Sequence, residues 1–291
     1  KMVRSTSKGR KSYAMNVQGK QRAANTYSLQ GYVFPLSAMS TDETNAYRER
    51  YESYSASIAE HLQTHDARDH YLWLAETHMY LPWVHELAIN PVILDVIEAI
   101  LGPDLLLFDS RWFTKQPGDG TFVSWHQDAN YWGLEPNLAC TAWLALTAST
   151  VETGCLRVVP NSHHKTDLPH NFTDSPQNAL ARGQEISVEV DESEADDIVL
   201  APGEFSLHHP SIIHGSRPNT STIPRIGIAL RYIPAQVRQH VTDPLAMLVR
   251  GNDTYSHFDL IPPPTSSDFD KIAQLRKNCV ERVYGNLSSV E

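Results

Sequence analysis

The stretch FVSWHQD, residues 122–128, is short, rich in aromatic and β-branched side chains, and ends on a carboxylate two residues after a histidine. It belongs to a series. LLLFDSRWFTKQ (105–116), CTAWLALTAS (140–149), CLRVVP (155–160), ISVEV (186–190), DIVLAPGEFSLHH (197–209), SIIHGS (211–216) and RIGIALRYIP (225–234) have the same grammar, with Gly, Pro, Asn and Asp between them. Runs of this length and composition predict strands. At least eight at this spacing predict a mostly β fold, a sandwich or barrel of the jelly-roll kind, with a core over about 105–235.

Outward from that core the period changes. TDETNAYRERYESYSASIAEHLQTH (41–65) has neither Gly nor Pro, and Ser40 and Glu43 stand at capping-box spacing, which predicts a helix. Two further helical stretches are expected near 70–88 and 91–101. Pro91 suits a first helical turn, and Gly102-Pro103 ends the second stretch. A last helix is expected over about 267–284. The run 160–185 is long, polar and proline-containing; such a loop inside a compact domain is usually functional, often a lid. Residues 1–25 carry seven Lys or Arg and no acid. They read as a disordered arm, or, less readily, as an import sequence. The expected organisation is that arm followed by a single domain over 26–291, helices first, then the β core, then a helical tail.

Composition narrows the function classes. Net charge is −10, which argues against nucleic acid as the partner. No stretch of eighteen apolar residues exists, so no membrane span is expected. Cys140, Cys155 and Cys279 are odd in number and widely spaced, fitting neither a disulfide framework nor a thiolate zinc site. A reducing, cytoplasmic location fits best.

His126 and Asp128 gain meaning from SIIHGSRPNTSTIPRIGIALRYIP (211–234), where His214 ends one strand and Arg225 opens the next. The strand pattern can bring His214 beside His126 and Asp128. Two imidazoles and one carboxylate leave adjacent coordination positions open, which suits non-haem Fe(II) that must bind a co-substrate and O2. A structural zinc site would want four closed ligands, commonly thiolates. Arg225 sits in an apolar run and needs a partner. That partner is either a protein carboxylate or the free end of a dianionic co-substrate, which an arginine holds in a charge-assisted, two-pronged fashion.

The motifs H-Q-D, then G-C-L-R-V-V-P-N-S-H, then H-G-S-x-P-N-x-S-x-x-P-R resemble the phytanoyl-CoA dioxygenase family of Fe(II)/2-oxoglutarate-dependent oxygenases over roughly residues 28–240. The resemblance implies a double-stranded β-helix (jelly-roll, cupin-like) core. It implies iron held by His126, Asp128 and His214, and 2-oxoglutarate anchored by Arg225, with O2 as the second co-substrate. By matching position, Ser216 helps hold the far carboxylate and Trp143 lines the co-substrate pocket, with Gln127 and Lys115 as further contacts. Iron halogenases of this fold carry a small residue in place of the carboxylate. Asp128 therefore implies hydroxylation or a related oxidation of a small-molecule substrate, with release of succinate and CO2.

Other residues stay open at this stage. His208 or His209 could replace His214 in the triad, although His214 alone has the eleven-residue spacing to Arg225. His163 and His164 follow the V-V-P-N-S turn, and the resemblance explains one of them as a turn residue. Asn130, Tyr131 and Trp132 follow the metal strand and are either a substrate wall or packing under the lid. Arg231 shares a face with Arg225 by period-two spacing and could meet an anionic substrate, as could Arg157. Two rival functions remain: a cupin-like metalloenzyme that does not use 2-oxoglutarate, and a non-catalytic jelly-roll binding module.

Overall fold

A computed structural model describes residues 15–62, 67–165, 168–173, 175–180 and 184–287. Helices and one strand come first: α1 (Val17–Gln30), β1 (Tyr32–Ser37), α2 (Thr41–His61), α3 (Ala67–Trp73), α4 (Pro82–Ala88) and α5 (Pro91–Leu101). The strands β2 (Leu105–Lys115) and β3 (Val123–His126) follow, then the single turn α6 (Ala129–Trp132), then β4 (Leu134–Glu135), β5 (Cys140–Ala145) and β6 (Leu156–Val158). The long loop carries the small hairpin β7 (His170–Phe172) and β8 (Gln184–Ile186). After it come β9 (Asp196–Ile198), β10 (Glu204–His208), β11 (His214–Ser216), β12 (Arg225–Pro234), β13 (Arg238–Gln239), β14 (Leu245–Arg250), β15 (Asp259–Leu260) and α7 (Phe269–Leu287).

The strands form a jelly roll with flanking helices. A seven-stranded sheet has the order β1-β10-β5-β12-β2-β14-β15, and a four-stranded sheet the order β3-β11-β6-β9. All ten residues of β12 are buried, because both of its faces are covered. Alternation along a strand then sorts its side chains. Ile226, Ile228, Leu230 and Tyr232 pack against the helices, together with Leu105, Leu107, Ala142, Leu144, Phe205 and Leu207. Ala229 turns the other way and meets Trp143, Leu156, Val158 and Ile198 between the sheets. Arg225 and Arg231, an even number of residues from Ala229, share that inner face. The functional side chains thus stand on a face whose reverse is a dry core. Truncating Ile228 there to Ala would cost about 2–5 kcal/mol.

Helix ends follow the sequence signals. The Ser40 backbone donates to the Glu43 carboxylate at 2.9 Å and the Glu43 backbone to Ser40 Oγ at 3.3 Å, a complete capping box. Asn90 caps α5 by accepting from Val92 N at 2.9 Å, and the helix stops at Gly102, φ 96°. The expected 70–88 helix is instead broken. Trp112 N donates to Leu74 O at 2.9 Å and Glu76 N to Ser110 O at 2.7 Å, so this segment is pinned to β2. Glu76 itself is left-handed, φ 52°, and Pro82 opens a new helix. Tertiary pairing outweighs helix propensity here.

The basic arm also needs correction where it is described. Residues 17–30 form α1, capped by Asn16 and ended by Gly31 at φ 82°. Tyr27 donates its hydroxyl to Ala139 O at 3.0 Å and Lys20 pairs with Asp95 at 2.6 Å, which ties the helix to the body. The arm's residues 1–14 lie outside the described residues. Strands also extend past the expected core. β1 is an edge strand despite Pro35, as proline requires, and β14 lies beyond residue 235. Among the described residues no helix is long and apolar enough to cross a membrane.

Candidate active site

The antiparallel pairing of β3 with β11 sets His126 opposite His214. Their ring centroids lie 4.0 Å apart. The same device orients both rings. His126 Nδ1 donates to Ser124 O at 2.9 Å, and His214 Nδ1 to Ile212 O at 3.0 Å, each to the carbonyl two residues before it. With the proton held on Nδ1, both Nε2 lone pairs are free and aimed at Asp128, which heads α6. Nε2 of His126 is 3.3 Å from Asp128 Oδ1, and Nε2 of His214 is 3.9 Å from Oδ2. Such backbone partners are the ordinary support of metal-binding imidazoles.

The three ligand atoms lie within 4.8 Å of one another, and among the described residues no other trio of metal-ligating side chains does so. All three residues are buried. Burial and the neighbouring His126 hold the His214 imidazole neutral. Arg231 and the two histidines hold the Asp128 carboxyl well below the usual carboxylate range, although burial pushes the other way. Asp128 Oδ2 accepts no hydrogen bond. Two imidazoles presenting Nε2 and one ionised carboxylate, all buried, are a donor set that fits a divalent cation.

Across the seven-stranded sheet, register places Arg225 beside Lys115 on β2. Both are buried, and among the described residues no carboxylate pairs with either. Arg225 Nη1 donates to Gly154 O, its Nε has no partner, and its guanidinium lies 5.2 Å from the centre of the Trp143 ring. Lys115 Nζ donates to Ser216 Oγ at 2.6 Å and to the carbonyls of Gly154 and Arg217. Burial and then the adjacent Arg225 push Lys115 down to about 6, and burial pushes Arg225 down to about 10. Charging Lys115 beside the buried Arg225 guanidinium is expensive unless an anion joins them. Gly227 matters here, because a Cβ would lie 2.2 Å from the Trp143 ring. Its bare backbone lets that ring reach Arg225.

A narrow recess of about 30 Å3 runs between these features, lined by His126, His214, Trp143, Ser216, Arg225 and Phe113 among others. It adjoins a cavity of about 1080 Å3 that includes His126 and Asp128 in its wall. Tyr71, Phe108, Phe113, Tyr131, Trp132 and Phe172 make that cavity strongly aromatic, and residues 172–173, 175–176 and 178–180 of the long loop form one side.

Residues 27–227 match the phytanoyl-CoA dioxygenase (PhyH) family over well more than half of the chain. The chain belongs to the phytanoyl-CoA dioxygenase family. It is 28% identical over 158 residues to a probable phytanoyl-CoA dioxygenase of Caenorhabditis elegans, covering 52% of this chain and 51% of that protein. To a probable alpha-ketoglutarate-dependent hypophosphite dioxygenase of Stutzerimonas stutzeri it is 25% identical over 219 residues, covering 71% and 76%. The chain spans about half the length, or less, of most of the phytanoyl-CoA dioxygenases it matches. Its fold is similar to that of ThoJ, a non-heme monooxygenase solved in the apo form, with TM-score 0.75 and 30% identity over 91% of this chain and 99% of that one.

The geometry places most of the expected site residues and moves others away. His126, Asp128 and His214 form the cluster; Arg225, Ser216 and Trp143 line the recess, and Lys115, on the wall of the larger cavity, reaches it by donating to Ser216 Oγ. Gln127 does not reach the recess. It follows directly after β3, and its amide donates away from the recess to Lys165 O and Ser211 O, both at 2.6 Å. Arg157 is on neither cavity wall; it pairs with Glu192 at 2.6 Å and Asp197 at 3.0 Å. Asn130 is on neither cavity wall and ties the long loop, donating to Leu168 O at 2.9 Å. Tyr131 and Trp132 do line the large cavity. Arg231 faces inward, yet it is ion-paired with Asp109, so its charge is already matched.

His209 packs beside Tyr27 and His163, away from the cluster. His208 lines the recess 4.9 Å from the His214 ring, and its Nδ1 has no partner. Burial pushes it down to about 4. Asp109 and Glu76 were not singled out from sequence. Asp109 carried a signal, a carboxylate in the apolar run LLLFDSRWF two and six residues before Arg111 and Lys115. Glu76 carried none.

Proposed function

We propose that this chain is an Fe(II)- and 2-oxoglutarate-dependent oxygenase, with residues 26–291 as one catalytic unit. It hydroxylates, or otherwise oxidises, a small organic molecule and releases succinate and CO2. The observation that carries the reading is the pairing of two features in one recess. His126 and His214 of the metal-ligand cluster line it together with Arg225 and Ser216, and Lys115 donates to Ser216; among the described residues neither of these two buried basic side chains, Arg225 and Lys115, has a carboxylate partner. A dianion that chelates metal through one end satisfies both features.

His126, Asp128 and His214 would hold iron, which supplies the redox chemistry coupling O2 and 2-oxoglutarate to oxidation of the substrate. The protein's own residues bind, orient and exclude water. Arg225, Lys115 and Ser216 take the far carboxylate, Trp143 and Phe113 wall the carbon chain, and the aromatic cavity holds the substrate over the metal. The presence of Asp128 favours oxygen insertion over halogenation, because the carboxylate occupies a position a halide would need. Cavity volume and aromatic lining suit an organic molecule of metabolite or natural-product size.

The test is anaerobic addition of Fe(II) and then 2-oxoglutarate, followed by the visible charge-transfer band of a chelated 2-oxo acid. The band is expected with the wild-type chain and lost in Arg225→Ala at the same co-substrate concentration. Fe(II) binding with no band in the wild-type chain would overturn the 2-oxoglutarate assignment.

A further inference from the structure

A row of polar side chains crosses the seven-stranded sheet beneath the metal-ligand cluster. Register sets His208 opposite Thr141, Thr141 opposite Arg231, and Arg231 opposite Asp109. Arg231 is the centre of this row. Its Nη1 is ion-paired with Asp109 Oδ1, and its Nε lies 3.7 Å from Asp128 Oδ2. Both of those last atoms are buried and neither has a hydrogen-bond partner. An orphaned donor therefore faces an orphaned acceptor just beyond hydrogen-bond reach. A buried donor and acceptor left unpaired are each costly, so a small shift that joins them is favoured.

Resting on the iron reading above, we infer that Glu76, Asp109 and Arg231 are a positioning chain for the metal ligand Asp128. Arg231 claims one carboxylate oxygen, so Asp128 gives the metal only the other. The consequence is a count of open coordination positions. A two-histidine, one-carboxylate site needs adjacent open positions for a chelating co-substrate and O2. A carboxylate gripping the metal through both oxygens would take one of them. Asp128 Oδ1, nearer His126 Nε2, is the oxygen left for the metal.

The rest of the chain keeps Arg231 from gripping Asp128 too hard. Asp109 neutralises the guanidinium from its other side. Glu76 lies beside Asp109, and burial, then the Asp109 charge, pushes its carboxyl well above the usual range, toward the protonated form that can donate to Asp109. Glu76 is in turn fixed to β2. Its N–H donates to Ser110 O at 2.7 Å, and Ser110 N–H donates to its carboxyl at 3.4 Å. Its left-handed backbone, φ 52°, is a conformation that costs a non-glycine residue free energy and persists where the surroundings demand it.

The experiment loads the full chain with Mn(II), whose bound waters are counted by water-proton relaxation and whose affinity is titrated separately. In Arg231→Met, relaxation per bound Mn(II) should fall by about a third as Asp128 takes one of the open positions, with affinity kept or tightened. In Asp109→Asn the freed guanidinium competes for Asp128, and Mn(II) affinity should weaken by roughly tenfold. Glu76→Gln, which can still donate to Asp109, should behave as wild type, whereas Glu76→Leu should follow Asp109→Asn. Folded Arg231→Met and Asp109→Asn variants with wild-type relaxation and affinity would overturn the inference. So would an equal loss of affinity in both, since general damage has no opposite signs. If Arg231→Met does not fold, Asp109→Asn and the two Glu76 variants decide it. A wild-type chain that binds no Mn(II) at all would sink the metal site itself, a failure distinct from unchanged variants.

Discussion

Lys115 makes co-substrate binding dependent on pH in a direction the structure fixes. Without co-substrate, burial and Arg225 hold Lys115 at about 6, so above pH 7 it is largely neutral. A carboxylate seated against Lys115 and Arg225 restores the ammonium form. Binding then takes up about one proton, and the apparent Kd for 2-oxoglutarate should rise roughly tenfold per pH unit above neutrality. Neighbouring groups stay out of this window: Arg225 lies at about 10, Cys155 at about 11 and His208 at about 4. The assay is an anaerobic titration of the Fe(II)-loaded chain between pH 6.5 and 8.5. Lys115→Met is the control. It removes a charge-assisted hydrogen bond worth about 1.5–3 kcal/mol, so Kd should weaken by roughly 10- to 150-fold and its pH profile should flatten. Stability carries the complementary sign. The folded value lies below the ordinary 10.5, so the unfolded chain binds the extra proton between about 6 and 10.5. Stability without co-substrate should therefore rise with pH over that window in the wild type relative to Lys115→Met. A wild-type Kd that is flat in pH, or parallel to that of Lys115→Met, would refute the reasoning.

His214→Ala should remove metal binding and 2-oxoglutarate turnover together, read by metal content and succinate formation; full turnover without His214 would end the triad assignment. Gly227→Ala drives a methyl into the Trp143 ring. It should lower stability by about 1–3 kcal/mol in a denaturant titration and weaken 2-oxoglutarate binding as Trp143 leaves Arg225. Arg157→Ala should leave turnover and co-substrate affinity unchanged, because Arg157 faces Glu192 and Asp197 away from both cavities; its effect should be a loss of stability of about 1 kcal/mol.

The sequence by itself determined what short-range chemistry governs. Strand grammar from 105 to 235, the Ser40–Glu43 capping box and the Pro91 and Gly102 limits of a helix are local signals, and each has its structural counterpart. His126, Asp128, His214 and Arg225 were legible because polar ligands and a lone arginine in apolar strands demand an explanation. Period-two alternation sufficed to put Arg231 on the face of Arg225.

Only the tertiary structure decided matters of partnership between distant segments. It made Arg231, which lines both cavities, the neighbour of Asp128 and ion-pair partner of Asp109, 122 residues away in sequence. It withdrew Gln127 and Arg157 from the site by giving each partners elsewhere. It broke the 70–88 helix by pinning residues 74–76 to β2, and it folded residues 17–30 into a helix against the body. The physical reason is common to all four. A buried charge or an unpaired backbone group is governed by whatever donor or acceptor the fold brings within about 3 Å. Local propensity and spacing carry no information about that neighbour.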